Sequence, residues 1–130
     1  AAAVVPSLAR AAYPERPIRI VVPFPPGGGV DVMARLLGMK LSTLWGQPVV
    51  IDNKPGADTQ IGTALVAQAP PDGYTIGLLT SAFTVNKALY PTLPYDAEKD
   101  FTPILGIASS PFYMVANMQL EARDLPSLIA

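Results

Sequence analysis

Three stretches of this chain carry the residue types that could do chemistry, and they would present mainly backbone. The first is Phe24-Pro25-Pro26-Gly27-Gly28-Gly29, which leads straight into a helical period. Its prolines stiffen the approach, and its glycines let peptide nitrogens come close to a ligand. A loop that opens a helix also presents unpaired N–H groups at the positive end of the helix dipole. In outline, that is an anion site. The second stretch is the turn Asn53-Lys54-Pro55-Gly56 with Ala57, Asp58, Thr59 and Gln60 behind it. The third follows a strand through Thr80 and Ser81 to Ala82, Phe83, Thr84 and Asn86, adding hydroxyl donors and an amide.

The chemistry excluded is as informative. The first loop is not a Walker A loop, because no Gly-Lys-Ser/Thr follows, and position 32 is Val where G-x-G-x-x-G needs its third glycine. With Cys 0 and His 0, thiol nucleophiles, Cys/His metal sites and Ser-His-Asp triads are out. No carboxylate pair has an acid–base spacing and no nucleophile has a candidate base, so neither a catalytic residue nor a metal ligand is assigned. Asp31 is awkward for an anion site, and the better reading is structural capping of the helix. Ser81 reads equally as an N-cap and a ligand contact, and one hydroxyl can serve both. Phe24, Phe83 and Tyr74 could wall a pocket, though aromatics at strand ends usually pack. The mixed-sign run Asp96 to Asp100 reads as a solvated turn.

The elements that must position these loops follow from periodicity. Pro17 to Pro23 encloses a β-branched run, a buried strand. From Asp31 the residues Met33, Leu36, Leu37, Leu41, Leu44 and Trp45 form one helical stripe, with Gly46 placed as a left-handed cap. Pro48 to Ile51 is a second strand. Ile61, Leu65 and Gln68 suggest a shorter helix, stopped by Pro70-Pro71, and residues 74–80 are a third strand. Strand, helix, strand, helix, strand is a βαβαβ unit with a parallel sheet, in which ligands bind outside the carboxyl ends of the strands. All three loops fall at those ends. The runs 104–108 and 112–116 are two further strand candidates, and Asp124 with Pro126 starts another helix.

The chain has 130 residues, of which 50% are hydrophobic and 15% charged, enough for one folded core. A net charge of -1 offers no footprint for nucleic acid, and no apolar run is long enough for a membrane span. Residues 1–12, AAAVVPSLARAA, contain the A-x-A triplet Ala9-Arg10-Ala11 and read as the remnant of a secretory signal or a flexible arm. The short helix start at 124–130 makes the whole read as a fragment.

Taken together these motifs resemble a known family. Tyr13-Pro14, Pro17 to Asp31, Gly46-Gln47-Pro48, Asn53-Lys54-Pro55-Gly56-Ala57, Ala69 to Thr75, Leu93-Pro94-Tyr95-Asp96 and Lys99-Asp100-Phe101 are similar, in this order, to the Bug (TctC-type) solute-binding proteins of tripartite tricarboxylate transporters. The resemblance implies an incomplete type II periplasmic-binding-protein-like lobe. Residues 13–103 would be its α/β segment, and 104–130 the crossover and start of a second lobe. It implies a periplasmic receptor that binds a small carboxylate or acidic amino acid and hands it to membrane carrier subunits, without catalysis or cofactor and without being membrane-embedded. Carried over, the ligand-binding positions are Phe24, Pro25, Pro26, Gly27, Gly28, Gly29, Ala57, Asp58, Thr59, Gln60, Ser81, Ala82, Phe83 and Asn86. Asp58 and Thr59 stand where the family tends to have glycines, which points Asp58 toward a ligand bearing an amine or amide. Lys87 likewise replaces a usual proline. Two other classes stay open on the residues alone. One is an α/β enzyme half-domain holding phosphate or nucleotide on Gly27 to Gly29. The other is an interaction module that pairs through residues 104–116.

Overall fold

The computed structural model describes residues 13–111 and 113–129. The signal-remnant reading of residues 1–12 lies outside them. Three strands form a parallel sheet: β1 (Ile18–Val22) in the centre, β2 (Val49–Asn53) on one side and β3 (Thr75–Gly77) on the other. β1 is the most buried segment, as its β-branched sequence requires when both faces are covered. Helix α1 (Gly29–Trp45) follows β1, and α2 (Gln60–Ala67) follows β2. Ile20 and Val22 pack with Ala34, Leu37 and Leu41 of α1 and with Val49, Ile51 and Ile76 of the flanking strands. Gly77 turns the opposite way, where an added Cβ would lie 3.2 Å from Val66 of α2. The two helices therefore cover opposite faces, and the expected βαβαβ unit is the observed one. Among the described residues, no helix is long and apolar enough to cross a membrane.

Three expectations need correction. The buried face of α1 is only partly the Leu stripe, since Leu37 and Leu41 pack at its edge. Asp31, Ala34 and Gly38 are its buried residues, while Leu36 is 52% and Leu44 76% exposed. The reason is backbone approach. A Cβ on Gly38 would meet Ile51 at 3.0 Å and Val49 at 3.3 Å, so the small-residue face sits against the sheet and displaces the larger side chains to its flanks. Second, residues 104–108 form no strand, and neither do 113–116 of the second run. Ile104 and Leu105 are both 71% exposed, and among the described residues no neighbouring strand offers them a ladder; an apolar run without a partner has nothing to make it a strand. Third, a helix α3 (Ala82–Leu89) stands where only a possible cap at Ser81 was legible. The short α4 (Leu125–Ile129) starts as expected, with Asp124 accepting the Ser127 N–H at 2.9 Å. Asp96 likewise closes a solvated turn, accepting from Glu98 and Lys99.

At the amino edge of the sheet the chain entry is pinned. Tyr13 donates to the Gly73 carbonyl at 2.6 Å and packs edge-on against Tyr74, ring centroids 5.1 Å apart. Arg16 lies over the Tyr74 ring and pairs with Asp72. Gly73 itself holds φ +81, which explains Asp-Gly in this turn. Tyr13→Ala removes the aromatic contact and the hydrogen bond together. We expect a lower urea midpoint corresponding to about 1–2 kcal/mol, with unchanged denaturant sensitivity.

Candidate functional site

Parallel strands in register deliver their following loops to one edge. Val22 pairs with Asn53, the Lys54 N–H donates to Val22 O at 2.8 Å, and the Leu78 N–H donates to Val21 O at 3.0 Å. Each loop then turns away over the same rim. The first turn of α2 is wedged between them: a Cβ on Gly62 would lie 2.7 Å from Pro23 Cβ and 2.8 Å from the Lys54 carbonyl. The first two loops thus share a contact in which only glycine fits.

In the first loop Pro25 to Gly29 are exposed, and Gly28 occupies the N-cap position with no side chain capping it. Phe24 is half-buried and belongs to the core wall. Asp31, expected as a cap, lies inside the first turn. Its carboxylate accepts the Gly27 N–H at 2.8 Å, the Arg35 Nε–H at 2.9 Å and the Asn53 amide at 2.9 Å. Asn53 also donates to the Phe24 carbonyl at 3.1 Å and accepts from Arg35 at 3.2 Å. The Arg35 hydrogen bond, followed by those from Gly27 and Asn53, holds the Asp31 carboxyl well below the usual carboxylate range. Asp31 is 2% exposed, so its negative charge is spent inward on the loop's own scaffold. One glycine N–H is consumed by it. The peptide N–H groups of Gly28, Gly29 and Val30 donate to no such partner among the described residues.

The second loop is unusual. Ala57, Asp58 and Thr59 hold φ values of 46, 49 and 72, three successive non-glycine residues in the left-handed region. Each is sterically disfavoured, and surrounding structure must hold them there. Asn86 of α3 does part of this, donating to the Asp58 carbonyl at 2.8 Å from a side chain 1% exposed. The loop's own closing bond runs from the Gln60 N–H to Ala57 O at 3.0 Å. The amides of Ala57, Asp58 and Thr59 are left without a partner among the described residues.

In the third loop Ser81 is exposed at the N-cap of α3 but makes no side-chain cap; the Thr80 hydroxyl faces the Ala82 N–H instead, at 3.4 Å. Ala82 is half-buried. Phe83 stacks on Tyr95 with centroids 5.9 Å apart and meets Phe101 edge-on, so it is packed rather than free to wall a pocket. Of the residues assigned from sequence, the exposed loop positions share one rim, while Phe24, Phe83 and Asn86 stand behind it as support. Asn53 and Arg35 were not assigned, yet they shape the first loop. The i,i+4 spacing of Asp31 and Arg35 was a readable signal; the pairing with Asn53 depends on strand register.

Both cations near this rim are already paired, Arg35 with Asp31 and Lys54 with Asp52 at 3.5 Å. The rim therefore offers peptide N–H groups and three helix N-termini, those of α1, α2 and α3, not a guanidinium or ammonium clamp. Among the described residues there is also no cluster of acidic side chains suited to a metal ion.

Comparison with known proteins identifies the family of the chain. The profile of the tripartite tricarboxylate transporter family receptor, TctC, matches residues 33–130. The chain belongs to that family. BugT of Bordetella pertussis is 43% identical over 120 residues, covering 91% of this chain and 37% of that protein. The chain spans about a third of the length of such curated relatives. A Rhodopseudomonas palustris protein solved with adipate superposes with a TM-score of 0.79 at 38% identity, covering 90% of this chain and 40% of the other. MatC from the same organism, solved with bound malate, gives 0.61 at 38% identity over 70% of this chain and 31% of its own. The family's proteins are periplasmic solute-binding receptors rather than enzymes, and these two neighbours hold small carboxylates. The TctC fold is thus the one built here: a parallel α/β sheet of the periplasmic-binding-protein type, present in part.

Proposed function

We propose that this TctC-family chain supplies the carboxylate-binding rim of a periplasmic receptor that feeds a tripartite transporter. Residues 13–103 form the α/β segment of one lobe, and 104–130 lead toward a second. The supporting observation is the set of unpaired peptide nitrogens at Gly28, Gly29, Ala57, Asp58 and Thr59, on one rim whose cations are already neutralised. Preorganised amides at a helix N-terminus bind an anion at little reorganisation cost. Gly27 to Gly29 set how close the ligand comes, and the Ser81 hydroxyl adds a donor at the third loop. Closure of a second lobe would exclude water and give the carrier a liganded state to recognise.

The test is a 1H–15N titration of the 130-residue chain with succinate, adipate and AMP. Weak, saturable shifts of the Gly28, Gly29 and Thr59 amides are expected with the dicarboxylates, because one lobe supplies only part of the enclosure. If AMP alone moves these amides, the nucleotide-binding enzyme reading replaces this one.

A further inference from the structure

The second loop and α3 are joined at one peptide. The Asn86 side chain, 1% exposed, donates from Nδ2 to the Asp58 carbonyl at 2.8 Å. Four positions on, at the C-cap of α3, the Tyr90 hydroxyl donates to the Asp58 carboxylate at 3.4 Å. The helix is anchored in turn by the segment after it: Phe83 packs with Tyr95 and Phe101, and Lys87 pairs with Glu98. The Asn86 donor therefore stands on a fixed base. A peptide unit is planar and trans, so its C=O and N–H point in opposite directions. With the Asp58 carbonyl drawn toward α3, the Thr59 N–H in the same plane is turned away from α3, and no described residue accepts from it. The loop would not keep this arrangement by itself. Asp58 and Thr59 hold φ values of 49 and 72, and a half-turn of the peptide between them would carry Thr59 to a negative φ, where a β-branched residue is at ease. That flip would swing the Thr59 N–H toward α3 and break the Asn86 hydrogen bond.

We propose that Asn86 is a positioning residue: by holding the Asp58 carbonyl it keeps the Thr59 N–H turned outward as a donor to the ligand. This rests on the carboxylate-binding reading of the same rim and names what keeps one of its donors aimed. Asn86 itself touches no ligand. It acts through population, because a loop that is competent only part of the time binds more weakly by that fraction. The side chain has no other evident task. Its oxygen is buried without a partner among the described residues, and a buried amide with bonds unmade is costly. The bond it does make goes to this peptide.

The test follows amide shifts of the 130-residue chain as succinate is added to the wild type, to Asn86→Ala and to Asn86→Leu, the last filling a similar volume without a donor. Both variants are expected to raise the succinate Kd about three- to tenfold, the worth of one buried hydrogen bond. Adding Thr59→Gly to Asn86→Ala should recover most of that loss, since glycine keeps a positive φ without being held. A general loss of stability would not be repaired this way, because glycine also frees the unfolded chain. In the wild type, the Asn86 side-chain amide protons should exchange slowly with water. Should either variant fail to fold, the other variant and the exchange measurement decide. Freely exchanging Asn86 protons, an unchanged Kd in the variants, or a double variant no tighter than Asn86→Ala overturns the role of Asn86 and leaves the carboxylate rim standing. If succinate moves no rim amide of the wild type, the carboxylate reading itself fails and the positioning role falls with it.

Discussion

Gly62→Ala is expected to destabilise this protein by about 3 kcal/mol, lowering Tm by roughly 10 °C, whereas Gly29→Ala leaves stability unchanged or slightly raised. Intrinsic propensity argues the other way for the first of these, since alanine in a helix interior is favoured over glycine by about 1 kcal/mol. Sterics decide. The new methyl on Gly62 would lie 2.7 Å from Pro23 Cβ, 2.9 Å from Pro23 Cα and 2.8 Å from the Lys54 carbonyl, and two of these three are backbone atoms that cannot swing aside. At Gly29 nothing lies within 4 Å, and the residue opens α1, where reduced freedom of the unfolded chain helps by a few tenths of a kcal/mol. Thermal denaturation of the pair checks this, and equal Tm values would show that the two loops do not meet as described. Because Gly62 lets the first two ligand loops touch, its substitution should also abolish the amide shifts seen with dicarboxylates.

Removing the Asp31 carboxylate should unmoor the first loop. Asp31→Ala leaves the Gly27 N–H and the Arg35 Nε–H without their acceptor and takes one of two acceptors from the Asn53 amide. The expected order of Tm loss is Asp31→Ala, then Asp31→Asn, then Arg35→Ala, because the isosteric amide keeps an acceptor for Gly27 and Arg35 is half-exposed. The folded-state pKa of Asp31 lies below its unfolded value of about 3.9, so its stabilisation is complete above that pH. It drains away as pH falls from about 4 toward the lower folded pKa. Asp96, held low chiefly by the Glu98 N–H, and Asp124, held low by Ser127, add their own acid loss to the wild type. The quantity to measure is therefore the difference in urea stability between wild type and Asp31→Asn. It should be constant from pH 7 to about pH 5 and shrink between about pH 4 and pH 2. A difference that does not change with pH would mean the charge of Asp31 is not what holds the loop.

The parts of the fold that could be read from sequence are those set by neighbouring residues. The β-branched run of β1, the Asp-Gly turn before β3 and Gly46 as a left-handed cap, observed at φ 64, each follow from local sterics acting on a few consecutive side chains. Element order then implied a parallel sheet, and a parallel sheet implied that the three loops share a rim. The apolar stripe of α1 misled in part: Leu37 and Leu41 do pack on the core, but periodicity ranks side chains by hydropathy and cannot see that Ala34 and Gly38 let the helix backbone approach β2 more closely than leucines would. The runs after residue 103 misled in a related way: their composition suits strands, but a strand exists only where another strand accepts its hydrogen bonds.

On its own, the order of residues determined that this chain builds a βαβαβ unit whose loops expose peptide nitrogens, since backbone preferences and alternating periods are properties of short segments. Only the folded molecule decided which of those nitrogens remain unpaired. Asp31 takes Gly27, Asn53 joins Asp31 across 22 positions, and Asn86 grips Asp58 from 28 residues away. Such partnerships depend on strand register and helix placement, and those are settled by packing the whole sheet at once.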